Sequence, residues 1–252
     1  MTRDGRSTEA LAPFPLLYGD SASQRLLFRA RLLLDFQVRT VHRHAVAFVP
    51  TLSGIIVDIG AGGGPYRHLV NTANARYYAI DVATVGFGYS HLSAAYFDGA
   101  HLPFENDSID AFLCTEVLEH AEHPDALVRE MHRVLKPGGR GMVTVPWSAR
   151  YHYVPYDYHR FTPAGLERLF GDFPHVRVEP RGTDMTAIAS KVIVAYVRLL
   201  ERRPFWSRLA RGAIAAVLAP VAAAAVLAGH LSLAWSLGST DDPLGYTVWL
   251  EK

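Results

Sequence analysis

Cysteine is almost absent. Cys114 is the only one in 252 residues, so neither an intrachain disulfide nor a cysteine-built zinc cluster can form, which favours a reducing compartment. Charge of one sign is missing too. Twenty-five Lys and Arg oppose twenty-four Asp and Glu, for a formal net charge of +1, so no long-range field recruits nucleic acid and no nucleic-acid partner is expected. The N-terminal stretch through Asp20 contains Arg3, Asp4, Arg6 and Glu9 and no apolar run of signal-peptide length, so no cleaved targeting segment is expected. Two nucleotide motifs are lacking as well. No Gly-Lys-Ser/Thr follows the glycine-rich stretch near residue 60, and a GxGxxG beginning at Gly60 would need Gly or Ala where Pro65 stands. A P-loop is thereby excluded and a nicotinamide-dinucleotide fold disfavoured. With 50% hydrophobic and 19% charged residues, the chain is too apolar for wholesale disorder.

Hydrophobic periodicity supplies the architecture. Residues 21–49 carry apolar positions at helical spacing with arginines between them, and Ser21 or Ser23 is placed to cap the start. At Gly54 the pattern changes to IIVDIG, a β-branched run that reads as a strand buried on both faces. Tyr66, Leu69, Val70 and Ala73 then predict a helix, and ARYYAIDV predicts a second strand. The alternation continues with SIDAFLCTEV as a strand, Pro124 to Leu135 as a helix stopped by Lys136-Pro137-Gly138-Gly139, and GRGMVTVPW as a strand. Thr162-Pro163 opens another helix, with Phe161 and Leu166 as its hydrophobic staple, and HVRVEP follows as a strand. Strands alternating with helices predict an open, mostly parallel α/β sheet whose ligands sit beyond the carboxyl ends of the strands.

The chemistry-bearing segment is VDIGAGGGPYRHLV. Asp58, Gly60, Ala61, Gly62 and Gly64 occupy the turn after the first strand, where glycines let the backbone bend sharply and approach a nucleotide-like ligand. Asp81 ends the second strand about 20 residues further on, the spacing at which an acidic side chain reaches ribose hydroxyls in such folds. Asp98, in FDGAHLPF, is placed to accept from an exocyclic amine.

VDIGAGGG, YYAID, the stretch from FDGAHLPF to GMVTVP, and YDYHRFTPAGLERLF together resemble the class I S-adenosylmethionine-dependent methyltransferases, in particular the type 11 branch that includes quinone-precursor methylating enzymes. The resemblance covers about residues 54–181 through several ordered motifs. It implies a Rossmann-like, seven-stranded, mostly parallel sheet with PLGYTVWLEK as the antiparallel closing strand, and S-adenosyl-L-methionine as cofactor. Carried over residue by residue, Asp58 orients the methionine end of the cofactor, Asp81 holds the ribose diol and Asp98 binds the adenine amino group. Glu116, in TEVLEH, supports the cofactor or its own loop. The implied activity is in-line methyl transfer to a small-molecule, glycan or lipid-linked acceptor, and the alternative is a non-catalytic cofactor-binding relative acting as an interaction module.

For a hydroxyl acceptor a positioned base is useful, and His120 at the end of its strand is the candidate catalytic residue. WSARYHYVPYDYHRF follows the fifth strand, and Tyr151, His152, Tyr153, Asp157, His159 and Arg160 are the candidate acceptor-site residues. His120, Glu122 and His123 fit neither HExxH nor a Cys-His zinc pattern, so no metal is expected.

The expected organisation is an N-terminal helical arm (1–50), a methyltransferase core (51–182), an apolar helical insertion (183–240) and the closing strand (241–252). No Asp, Glu, Lys or Arg interrupts Gly212 to Leu237. At helical rise that run is long enough to cross about 30 Å of hydrocarbon. If the closing strand rejoins the same sheet, however, a single crossing is impossible. Residues 185–237 are therefore expected to form a helical hairpin on or in one leaflet, with Arg198, Arg202, Arg203, Arg208 and Arg211 near anionic headgroups. The competing expectation is a soluble helical pair that lids the acceptor pocket or forms a dimer interface. The expected location is the cytoplasm, with or without peripheral or monotopic attachment to a membrane.

Overall fold

The computed structural model describes residue 18 and residues 21–82, 95–153, 155–199 and 205–252, with the side chains of 205–209 and 211 excepted. Ser21 opens α1 (Ala22–Leu34) through a reciprocal capping box with Gln24. The anticipated single arm is broken at Asp35, which takes an extended conformation and accepts from Val38 N at 3.1 Å to start α2 (Phe36–Phe48). A side chain that satisfies the first free amides of a helix favours a new start over continuation.

The strands are β1 (Gly54–Ile59), β2 (Ala75–Val82), β3 (Ala95–Phe97), β4 (Ile109–Thr115), β5 (Leu135–Pro146), β6 (His175–Arg181) and β7 (Gly245–Glu251). They form one seven-stranded sheet in the order β3-β2-β1-β4-β5-β7-β6. Strands β1 to β5 pair in parallel, whereas β7 runs antiparallel to both β5 and β6. Side chains alternate faces along each strand, and two cores result. Val57, Ile59, Phe112, Cys114, Val143 and Val145 pack against α3 (Pro124–Val134) and α4 (Pro163–Leu169). Ile56, Ala111, Leu113 and Met142 pack against Val41, Ala45 and Val49.

Two local expectations fail. The helix over Tyr66–Ala73 is only a 3-10 turn, Arg67–Leu69. Ten residues separate Gly64 from Ala75, and returning to the start of a parallel six-residue strand means covering about 20 Å. An α-helix of all ten would advance only about 15 Å, so most of the connection is extended or turned. At the other site, α3 stops at Val134 as its prolines and glycines require, but Lys136–Gly139 lies within β5 rather than in a turn.

Beyond β6 come α5 (Asp184–Leu199) and α6 (Phe205–Trp235), packed on each other, with Pro220 inside α6. Phe36, Ala187, Ala189, Ile193 and Leu244 form a third cluster that anchors this pair to α2. Gly229 is required there, because a Cβ would stand 2.3 Å from the Phe36 ring. The insertion ends where it began: Gly245 pairs with Arg181, and Leu244 N donates to Arg181 O at 3.0 Å.

Candidate active site

The sheet order reverses between β1 and β4, and in open α/β sheets the connections that diverge at such a switch point leave a crevice for ligands. The glycine loop closes one side. Gly60, Gly62 and Gly64 all have left-handed φ values, +69°, +51° and +61°, a conformation that disfavours any side chain. Gly60 N and Ala61 N donate to Ile80 O at 2.9 and 3.1 Å, and Gly62 N donates to Asp81 Oδ2 at 2.7 Å. A Cβ on Gly60 would lie 2.4 Å from Val117, so the loop also seats directly on the segment following β4.

Three carboxylates occupy different environments. Asp81 binds the glycine loop through Oδ2 and the Val82 amide through Oδ1 at 2.8 Å. Asp58 is buried; it accepts from the Tyr77 hydroxyl at 2.5 Å through Oδ2, while Oδ1 has no partner among the described residues. Burial pushes its pKa up to about 7, against the lowering effect of the Tyr77 hydrogen bond. Asp98 is exposed and already engaged: Oδ1 accepts from Ala100 N and His101 N at 2.8 and 2.6 Å, and Oδ2 meets His101 Nδ1 at 2.8 Å. These bonds, those of His101 first, hold its carboxyl well below the usual range.

The other wall is the 3-10 turn Leu118–His120 after β4, covered by the loop after β5. Tyr158 N and His159 N donate to Glu119 O at 2.8 and 3.2 Å, and His120 Nδ1 meets Tyr156 O at 2.7 Å. Burial lowers the His120 pKa to about 4, opposed by its bond to Tyr156. The rings of His152 and Tyr153 lie 4.9 and 5.0 Å from that of His120. Asp157 locks the loop through a bidentate pair with Arg160, at 2.6 and 2.9 Å, and accepts from His152 N at 2.9 Å. His120, His152 and Tyr153 are thus assembled, with Asp157 and Arg160 as their scaffold. His159 joins through its backbone and Tyr151 stands exposed. Glu119 lies among them with its carboxylate fully buried, and burial pushes its pKa well up.

Residues 57–143 match the family model described as a methyltransferase domain. Over that segment the chain is similar to methyltransferase domains. An uncharacterized methyltransferase of Mycobacterium leprae is 32% identical over 97 residues, which is 36% of each chain. The ubiquinone/menaquinone biosynthesis C-methyltransferase of Rubrivivax gelatinosus is 33% identical over 108 residues, 39% of this chain and 43% of its own length. This chain therefore spans well under half of either relative. The solved structure of an S-adenosylmethionine-dependent methyltransferase from Archaeoglobus fulgidus shares the fold, with a TM-score of 0.53 at 14% identity over 90% of this chain and 99% of that one.

The matched segment contains Asp58, Asp81, Asp98, Glu116 and His120, whereas the loop from Tyr151 to Arg160 and all of β6 lie outside it. One residue outside it went unnoticed in the sequence. Arg181, with no exposed side chain, donates to Glu116 Oε1 at 2.6 Å, Val145 O at 3.0 Å and Thr40 Oγ1 at 3.1 Å. It thereby joins α2, β5 and β6 to the segment after β4. Glu116 itself has φ +55°, a strained position that this ion pair helps hold. No sequence motif marks Arg181; the only hint is an arginine closing a strand just before Gly182.

Proposed function

We propose that the chain is an S-adenosylmethionine-dependent methyltransferase whose acceptor enters beside His120. The glycine loop carries the reading: three alternate left-handed glycines, tied by Gly62 to Asp81, form a cradle at the switch point of the sheet. In this reading Asp81 accepts from the ribose hydroxyls, Asp58 faces the amino-acid end and Asp98 the adenine. Methyl transfer to an acceptor is an in-line displacement at the sulfonium methyl, so positioning supplies much of the catalysis. The proposed catalytic group is His120, whose Nε2 is left for the acceptor because Nδ1 is held by Tyr156 O. Isothermal titration of the folded protein with S-adenosylmethionine and its demethylated product tests the reading; binding of neither overturns it.

Asp81→Ala is expected to weaken cofactor binding by about 1.5–3 kcal/mol, because ribose hydrogen bonds to a charged acceptor are lost. The loop anchor on Gly62 goes with them. Calorimetry on a variant with unchanged circular dichroism checks this, and retained affinity would refute the assignment.

Asp58 gives the cofactor site a pH dependence. An ionised carboxylate attracts the cofactor's ammonium group, and Asp58 ionises near pH 7, so affinity is expected to rise about tenfold between pH 6 and 8. Asp58→Asn should flatten that profile. Stability runs the other way. With a folded pKa raised above the usual 3.8, this group's contribution is complete below that value and is lost as pH climbs through 7. The unliganded wild type should therefore melt at a lower temperature at pH 8 than at pH 5.5, by a margin that shrinks in Asp58→Asn.

The acceptor is proposed to be lipid-linked or otherwise apolar, presented at a membrane surface by α5 and α6. Within Gly212–Trp235 the most apolar 18-residue window has a mean hydropathy of 2.1, and only 17% of it is buried. Ile214, Val217, Leu218, Val221 and Leu227 point outward, whereas Gly229 and His230 nearer the C-terminal end dock on Phe36 and Leu33 O. Because Arg181 and Gly245 are neighbours, the hairpin returns to its origin, which suits entry into one leaflet. Of the arginines expected at headgroups, Arg202 and Arg203 lie outside the described residues, as do the side chains of Arg208 and Arg211. Full-length protein found wholly in the soluble fraction at low salt without detergent would defeat the membrane reading.

A further inference from the structure

Glu119 is fully buried, yet neither of its carboxylate oxygens accepts a hydrogen bond from the described residues. A buried carboxyl without donors stays protonated unless a cation meets it and displaces the proton. Its neighbours are arranged to supply the other half of a cation site. His120 Nδ1 lies 2.7 Å from the Tyr156 carbonyl, and His152 Nδ1 lies 2.9 Å from the Arg150 carbonyl and 3.0 Å from Asp157 Oδ2. These oxygens only accept, so both Nδ1 atoms carry hydrogen, and in the neutral imidazoles both Nε2 atoms keep a lone pair. His120 Nε2 stands 3.6 Å from Glu119 Oε1, and ligand atoms of Glu119, His120 and His152 all lie within 4.8 Å of one another. Imidazoles whose second nitrogen is fixed by a carbonyl or a carboxylate have the outer-shell arrangement of metal ligands. The nearby charges do not oppose a cation: Arg160 is bonded bidentately to Asp157, and Arg181 to Glu116.

We propose that Glu119, His120 and His152 bind a first-row divalent cation of the zinc type. Two neutral imidazoles and one carboxylate suit zinc, cobalt or manganese better than magnesium or calcium, and three protein ligands leave positions open for an outside ligand. Ligand bonds of about 2.0–2.2 Å require the three groups to close by about 1 Å, a movement the loop bearing His152 can make. The site escaped the sequence because its third ligand comes from a separate loop, whereas the spacing of His120, Glu122 and His123 fits no metal motif. Its use rests on the methyltransferase reading, in which the cation would hold an oxygen of the acceptor and take the place of His120 as the group that activates it. Its existence does not.

The test uses the full-length chain, stripped with chelator and dialysed against zinc or cobalt chloride. The expected result is one equivalent of metal per chain by elemental analysis, with a visible cobalt absorption band and a raised melting temperature. His152→Ala and, separately, Glu119→Gln should each weaken binding by tenfold or more. His152 lies on a covering loop, so its variant carries the test should Glu119→Gln disturb packing. Substoichiometric metal overturns the proposal, as does undiminished binding in His152→Ala, which would point to other histidines. Titration with S-adenosylmethionine on the same samples separates the two readings. Cofactor binding with no metal site overturns only the inference made here, and a metal site with no cofactor binding overturns only the proposed activity.

Discussion

Arg181→Ala is expected to lower the unfolding free energy by about 3–5 kcal/mol, because one substitution removes a partly buried ion pair together with two buried charge-assisted hydrogen bonds. For a chain of this size that amounts to a fall in melting temperature of about 6–20 °C. The physical ground is the number of groups left behind. Thr40 Oγ1 keeps its bond to Phe36 O, but it and Val145 O would each lose a charged donor, and water cannot replace that donor without opening the seam between α2 and the sheet. Glu116 would suffer less, because its side chain is 31% exposed and can be hydrated. Glu116→Gln should accordingly cost much less than Arg181→Ala. Arg181→Lys should fall between, since an ammonium cannot reach several acceptors in one plane. Thermal and denaturant unfolding check the series, and an unchanged melting temperature for Arg181→Ala would contradict this account of the seam.

His120→Ala is expected to reduce methyl transfer by about two to four decades while leaving cofactor affinity within about threefold. The separation follows from position. His120 contacts Tyr156 O, His152 and Tyr153 on the acceptor side, whereas the cradle for the cofactor is built from β1, β2 and their loops. Either use of the Nε2 lone pair, to accept a proton or to ligate a cation, is abolished by the substitution. Turnover measured against extract, with calorimetry on the same preparation, gives both numbers. Unaltered turnover would leave His120 as a structural residue.

The sheet was legible because its residues obey local rules. IIVDIG and ARYYAIDV are β-branched or aromatic runs bounded by turn residues, and their strands begin and end close to where those patterns do. Gly60, Gly62 and Gly64 were legible for a similar reason, because only a backbone that needs left-handed φ accumulates alternate glycines. Asp35 was harder to see: helical spacing runs through it, and the break depends on its side chain turning back to Val38 N. The absent helix after Pro65 was a matter of length rather than pattern, since Tyr66, Leu69 and Val70 have helical spacing but face a connection too short to hold one. Arg181 and Glu119 were beyond sequence reasoning. Their partners are remote in the chain, Thr40 and Val145 for the one and the loop carrying His152 for the other, so only the fold brings them together.

The central claim is most directly tested by following a labelled methyl group from S-adenosylmethionine into cell extract from a strain lacking this protein. The account predicts that added wild-type protein labels a discrete compound and releases the demethylated cofactor in equal amount, while Asp81→Ala at the same cofactor concentration labels far less. Absence of labelling above an extract control, from protein that is folded and given saturating cofactor, would contradict it.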